Sequence, residues 1–249
     1  LADIAARRGD SQAAAEAMLR AAEISQDPDV VVRAYGLSMQ AGHHAPALEM
    51  ARLLVQLMPD SDRPRVLELQ ALMALGRPDE FFNTLVEYNN EPGSKPGRNL
   101  RRASEILGRS ADPSAWLSVM ERLAEHYADE PEVHLAHAWL AYKADRPDLA
   151  EGALNRALSL HPGWQQVALM KLGQLKKADD RAALSAFTTK FLVEFPDSND
   201  LRLAWARLLT EWGELESALE QFNELAHRLP GNNDAIYASG VLSLEIGDI

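Results

Sequence analysis

Residues 147–162 read PDLAEGALNRALSLHP. Ala150, Leu154, Ala157 and Leu158 recur every three or four positions, which places them on one stripe of an α-helix. Pro162 closes the stretch, because a residue without an N–H cannot extend the helix. The rhythm returns in Ala14, Met18 and Ala21, then in Ala47, Ala51 and Leu54 ahead of Pro59. It appears again in Ala218, Phe222 and Leu225 ahead of Pro230. A small side chain one turn from a larger one lets two antiparallel helices approach closely and interlock.

Upstream of these helices lie turns with breakers: Gly9-Asp10, Gly42, Gly76, Asp145-Arg146-Pro147, Asp179-Asp180 and Gly213. Each follows another helix of about 12 residues, such as 131–144 or 198–212. Proline falls at 28, 59, 92, 131, 162, 196 and 230, so the last two gaps are 34 residues and the others 31 to 39. A period of this size marks stacked helical hairpins. The expected fold is all-α, with about 15 helices in about seven pairs and no strands.

Composition narrows the function. The 249 residues are 47% apolar and 25% charged, enough for a substantial core, which argues against disorder. A formal charge of −12 disfavours non-specific contact with nucleic acid or an anionic membrane. Cysteine is absent, which excludes disulfides and thiolate metal sites. No apolar run reaches the roughly 18 residues that cross a bilayer. Both ends, Leu1 and Ile249, read as cuts inside a repeat, so a fragment of a longer solenoid is expected.

The pattern resembles the tetratricopeptide repeat, whose 34-residue unit has a small residue in its first helix, alanines in its second and a closing proline. Segment 197–230 matches through Ala206, Gly213, Ala218, Phe222 and Pro230, and segment 131–162 through Ala138, Ala150, Ala157 and Pro162. Segments 60–92 and 98–131 are diverged, and the family's first-helix aromatics are mostly missing. The resemblance implies a right-handed superhelical solenoid. A single array over 1–249 is expected, with sub-blocks 1–92 and 98–249 around a loop or kink at about 90–98, where breakers crowd Asn89 to Gly97. The Ala/Leu-rich repeats, the acidic balance and the Leu1–Ala6 start also look like tetratricopeptide lipoproteins of Gram-negative envelopes.

Little points to catalysis. His134 and His137 are three apart, with Glu130 near, and His43 and His44 are adjacent, but none forms a closed ligand set, so no metal and no cofactor are expected. Paired carboxylates such as Asp179-Asp180 and Asp129-Glu130 sit at turns, where they favour capping. No phosphate-cradling loop or nucleophile elbow is evident, and no enzyme activity is expected. Lys95, Arg98, Arg101, Arg102 and Arg109 face only Glu105 within 93–110, which reads either as a dock for an acidic partner segment or as a solvated loop and helix start.

In the family, first helices line a concave groove. The resemblance then assigns to that groove Val32, Gly36, Met39 and Gln40; Leu135, Trp139, Tyr142 and Lys143; Leu169, Gly173, Lys176 and Lys177; Leu203, Arg207, Thr210 and Glu211; and Tyr237. Trp139 reads equally as packing between repeats. Trp116, Trp164, Trp205 and Trp212 are expected to fill gaps between repeats. The pairs Val32/Gly36, Leu135/Trp139, Leu169/Gly173 and Leu203/Arg207 lack the lysine and asparagine with which tetratricopeptide co-chaperones grip a C-terminal carboxylate.

The expected function is a non-catalytic scaffold or adaptor. Its groove would bind a protein or peptide partner, such as an envelope protease or assembly factor, with no nucleic acid. The expected location is periplasmic or outer-membrane-anchored, with any lipid anchor outside this stretch, and a cytoplasmic location stays open. Rival readings are the substrate-recognition arm of a larger enzyme such as a glycosyltransferase, a polysaccharide-export scaffold, or a self-associating solenoid.

Overall fold

The computed structural model describes residues 11–247, which hold fourteen α-helices and one 3₁₀ turn. In order these are α1 Ser11–Ser25, α2 Pro28–Gln40, α3 His44–Leu57, α4 Asp62–Ala74, α5 Pro78–Asn90 and α6 Pro96–Leu107. The 3₁₀ turn Pro113–Trp116 leads into α7 Leu117–His126 and α8 Pro131–Lys143. Then come α9 Pro147–Leu160, α10 Gln165–Lys177, α11 Arg181–Glu194, α12 Asn199–Glu211, α13 Leu215–Arg228 and α14 Asn233–Ile246. No strand occurs among the described residues.

The punctuation explains the element order. Within the hairpins, Gly42, Gly76, Asp145, Asp179 and Gly213 all adopt positive φ, between 54° and 76°. This left-handed residue ends one helix and swings the chain back antiparallel. The Gly9-Asp10 turn lies outside the described residues. Between hairpins, proline ends the second helix or starts the next one. Pro28 and Pro131 occupy the first helical turn, where no partner is needed for the missing N–H. Starts are capped by Asp27, whose Oδ1 accepts from Asp29 N at 2.9 Å, and by Asp180, whose Oδ1 accepts from Ala183 N at 2.9 Å.

The chain forms two compact units, divided within α9 at Ala150/Glu151. In the first unit the hairpins α2–α3 and α4–α5 stack side by side, and α6 packs on α4, α5 and α8. Phe81, Leu54, Leu72, Leu100 and Leu123 are fully buried there. Each such side chain stabilises by about 1.5–3 kcal/mol. Ala47 and Ala51 are also fully buried and allow the close helix approach that their spacing implies. In the second unit α12, α13 and α14 pack in succession around Leu201, Trp205, Ala206, Phe222 and Leu225.

One hairpin departs from the rhythm. The long proline gap from 92 to 131 is taken up by the 3₁₀ turn, capped by Asp112 Oδ1, which accepts from Ser114 N at 3.1 Å. The irregular stretch before it is confined to 91–95, since α6 begins at Pro96.

Candidate protein-interaction faces

Adjacent first helices of the second unit run in register. Gln165 Nε2 on α10 donates to Asp200 Oδ2 on α12 at 2.7 Å, and Asp200 N donates back to Gln165 Oε1 at 3.2 Å. About three turns further along, Lys176 pairs with Glu211 at 2.7 Å. Both pairs link residues 35 apart, one repeat length. The α12 set Leu203, Arg207, Thr210 and Glu211 thereby faces Tyr237 of α14, and together they line a concavity of about 540 Å³. Phe222 and Leu242 form apolar floor, while Asp234, Val241 and Glu245 complete the wall.

Tyr237 is 76% exposed and Val241 is 43% exposed, so this face presents apolar area to solvent. Arg207 is exposed and has no ion pair among the described residues. An aromatic beside an uncommitted arginine is the composition of interface hot spots. Leu169 and Leu203 are half-buried against the core, and Lys176 and Lys177 are exposed on α10.

In the first unit the groove residues divide differently. Val32 and Met39 are half-buried against the core, and Leu135 is buried, so these three offer shape more than open contact area. Trp139 is half-buried beside Gly108, Lys143 Nζ stands 5.5 Å above its ring, and Tyr142 is exposed. A second concavity, of about 490 Å³, lies between α4 and α6. Arg63, Val66 and Gln70 line it from α4, with Arg102, Glu105 and Ile106 from α6 and Arg109 from the turn that follows. Sequence reasoning left this face out because 60–92 and 98–131 were too diverged to register. Counting one repeat length back from the α8 positions would have pointed to it.

The basic patch separates into two roles. Arg98 and Arg102 both bond Asp62, Arg102 at 3.3 Å, and so serve the packing of α6 on α4. Tyr88's hydroxyl stands beside the same carboxylate. Tyr88 first, then Arg98 and Arg102, hold the Asp62 carboxyl below its ordinary range. Burial pushes the Tyr88 hydroxyl up to about 12. Lys95 and Arg101 are exposed and have no ion pair among the described residues.

The aromatic and histidine residues mostly serve packing. Trp116 packs on Phe81 in a tilted pair at 5.5 Å, and Trp205 meets Trp212 edge-on at 5.6 Å. His134 is buried with Nε2 2.9 Å from Ala128 O, while His137 keeps its buried Nε2 without a partner. Burial lowers the His137 pKa, with Glu121 pulling the other way. No group of three or more potential metal ligands occurs among the described residues.

These features define a helical-hairpin repeat protein of tetratricopeptide-like architecture. No protein-family model matches the sequence. No curated protein matches it either. Among solved structures, the chain is similar to a tetratricopeptide repeat protein from Parabacteroides merdae, at 13% identity and a TM-score of 0.45, over 97% of this chain and 95% of that one. It is also similar to the C-terminal part of a TPR repeat-containing protein from Cytophaga hutchinsonii, at 12% identity and a TM-score of 0.49, over 95% and 97%. PilW, a type IV pilus biogenesis factor, gives 15% identity and a TM-score of 0.43 over 82% and 94%.

Proposed function

We propose that the chain is a non-catalytic interaction scaffold that holds a partner protein or peptide against its first helices. The observation that carries this reading is the concavity of the second unit, where Leu203, Arg207 and the exposed Tyr237 meet at matching repeat positions. The wall is preformed helix, so binding orders few side chains and little backbone. Lys95 and Arg101, left over after Arg98 and Arg102 engage Asp62, support an acidic segment as part of the partner. Asp27, Asp112 and Asp180 serve as caps, and Asp62 and Glu211 as ion-pair partners, which favours a scaffold over an enzyme.

The cellular setting we favour is the bacterial envelope, in the periplasm or at the outer membrane, with recruitment of an envelope protease or assembly factor. It rests on the acidic balance and Ala/Leu-rich repeats of the sequence. No described helix is long and apolar enough to cross a membrane. Affinity capture from native envelope extract is the test, comparing the unaltered chain with an Arg207→Glu, Val241→Asp double variant. A discrete partner retained by the first and lost by the second is expected. Equal recovery by both chains would count against this face.

A further inference from the structure

Arg202 is a cation buried without a counter-ion. It lies on α12 and is 6% exposed. Its Nη1 donates to Gln221 Oε1 at 2.9 Å and its Nη2 to the Pro196 carbonyl at 3.1 Å, both neutral acceptors. The buried Nε has no partner, and no carboxylate of the described residues comes within ion-pairing distance. Desolvation pulls the Arg202 pKa down, with Arg228 pulling the same way and Glu224 and Glu220 opposing it. A desolvated guanidinium left with neutral acceptors favours an oxyanion.

The same arginine lines a concavity of about 440 Å³, apart from the Tyr237 face, walled by α11 on one side and the start of α13 on the other. Trp205 and Leu209 are buried beneath it, and Leu192 adds a buried wall from α11. Ser185, Thr189 and Ser217 bring three hydroxyls with no hydrogen-bond partner among the described residues. Glu214 and Glu220 stand exposed on the α13 side, also without ion pairs there. Those two carboxylates repel a simple anion and welcome an ammonium group. An occupant must therefore carry both charges and an apolar portion.

We propose that this concavity binds a free α-amino acid with an apolar side chain: carboxylate on Arg202 and the hydroxyls, ammonium toward Glu214 and Glu220, side chain against Leu192, Trp205 and Leu209. The site is independent of the partner-binding face, so either reading can fail alone.

Calorimetric titration of the whole chain with L-phenylalanine and L-leucine tests it, with 3-phenylpropionate lacking the ammonium and L-phenylalaninamide lacking the carboxylate. Saturable binding of at least one amino acid is expected, weakened at least about tenfold when either charge is removed from the phenylalanine skeleton or from its leucine counterpart. Arg202→Gln should abolish it. Arg202 also holds the Pro196 carbonyl, so Ser217→Trp, at an exposed wall position, provides a second loss variant that leaves those bonds intact. The proposal is overturned by absence of saturable binding up to about 10 mM for both amino acids. Binding of 3-phenylpropionate as tight as that of phenylalanine, or binding that survives Ser217→Trp, would also overturn it.

Discussion

The Trp139 ring fills the space in front of Gly108: a Cβ built on that glycine would stand 1.9 Å from Cζ3 of the indole. Gly108 ends α6 and Trp139 lies on α8, so the contact joins neighbouring first helices in the first unit. Gly108→Ala should push the ring off its seat and cost about 1–3 kcal/mol by overpacking. Thermal melting checks this. The penalty should shrink in a Trp139→Leu background, and equal penalties in both backgrounds would mean the indole is not the obstacle.

The hairpin turns give a paired prediction. Asp179 adopts φ +55°, a left-handed conformation that side chains resist, whereas Gly213 holds the equivalent turn at +76°. Asp179→Gly should raise stability by up to about 1 kcal/mol, and Gly213→Ala should lower it by about the same amount. Urea denaturation of the two variants should show midpoints moving in opposite directions.

Glu68, 5% exposed, accepts from Arg52 Nε and from Arg65 Nη1, each at 3.1 Å. Glu68→Ala removes the shared acceptor and leaves Arg65 with Glu91 alone. Arg52 is about half exposed and recovers water, so the expected cost is moderate, about 1–3 kcal/mol. A double-mutant cycle with Arg65→Ala should reveal coupling; strictly additive losses would contradict the bridge.

His137 carries the pH dependence. Its folded pKa lies below the ordinary value of 6.5, because burial disfavours the charged ring. The unfolded chain then binds more protons as pH falls below 6.5, so the folded state loses stability from there down to the depressed folded pKa. Melting between pH 7.5 and 5 should show a smaller decline in His137→Leu than in the unaltered chain. Identical slopes would remove His137 as the cause.

The hairpin order was legible because breakers and alanines recur with the period, and 131–144 and 198–212 match α8 and α12 within a residue at each end. The middle of the first unit was not. Glu68 occupies a buried place on α4, and Thr84, Asn89 and Asn99 are buried polar residues on α5 and α6, which blurs the apolar stripe. On α8 buried residues run almost continuously from Val133 to Ala141, so the sequence there does not show which side faces out. The basic patch was visible as charge, but that Asp62, 36 residues before Arg98, would neutralise part of it is a tertiary fact. Arg202 gave no signal at all: in one dimension, a buried arginine without a carboxylate partner looks like any surface cation.

Placement of a photo-crosslinking amino acid at Tyr237, and separately at Ile24, which is 85% exposed on α1, probes the partner face most directly. Crosslinking in living cells should give a discrete adduct from position 237, lost when Arg207→Glu is added, and none from position 24. Adducts that are the same from both positions, or that persist in the Arg207→Glu chain, would contradict a scaffold working through this face.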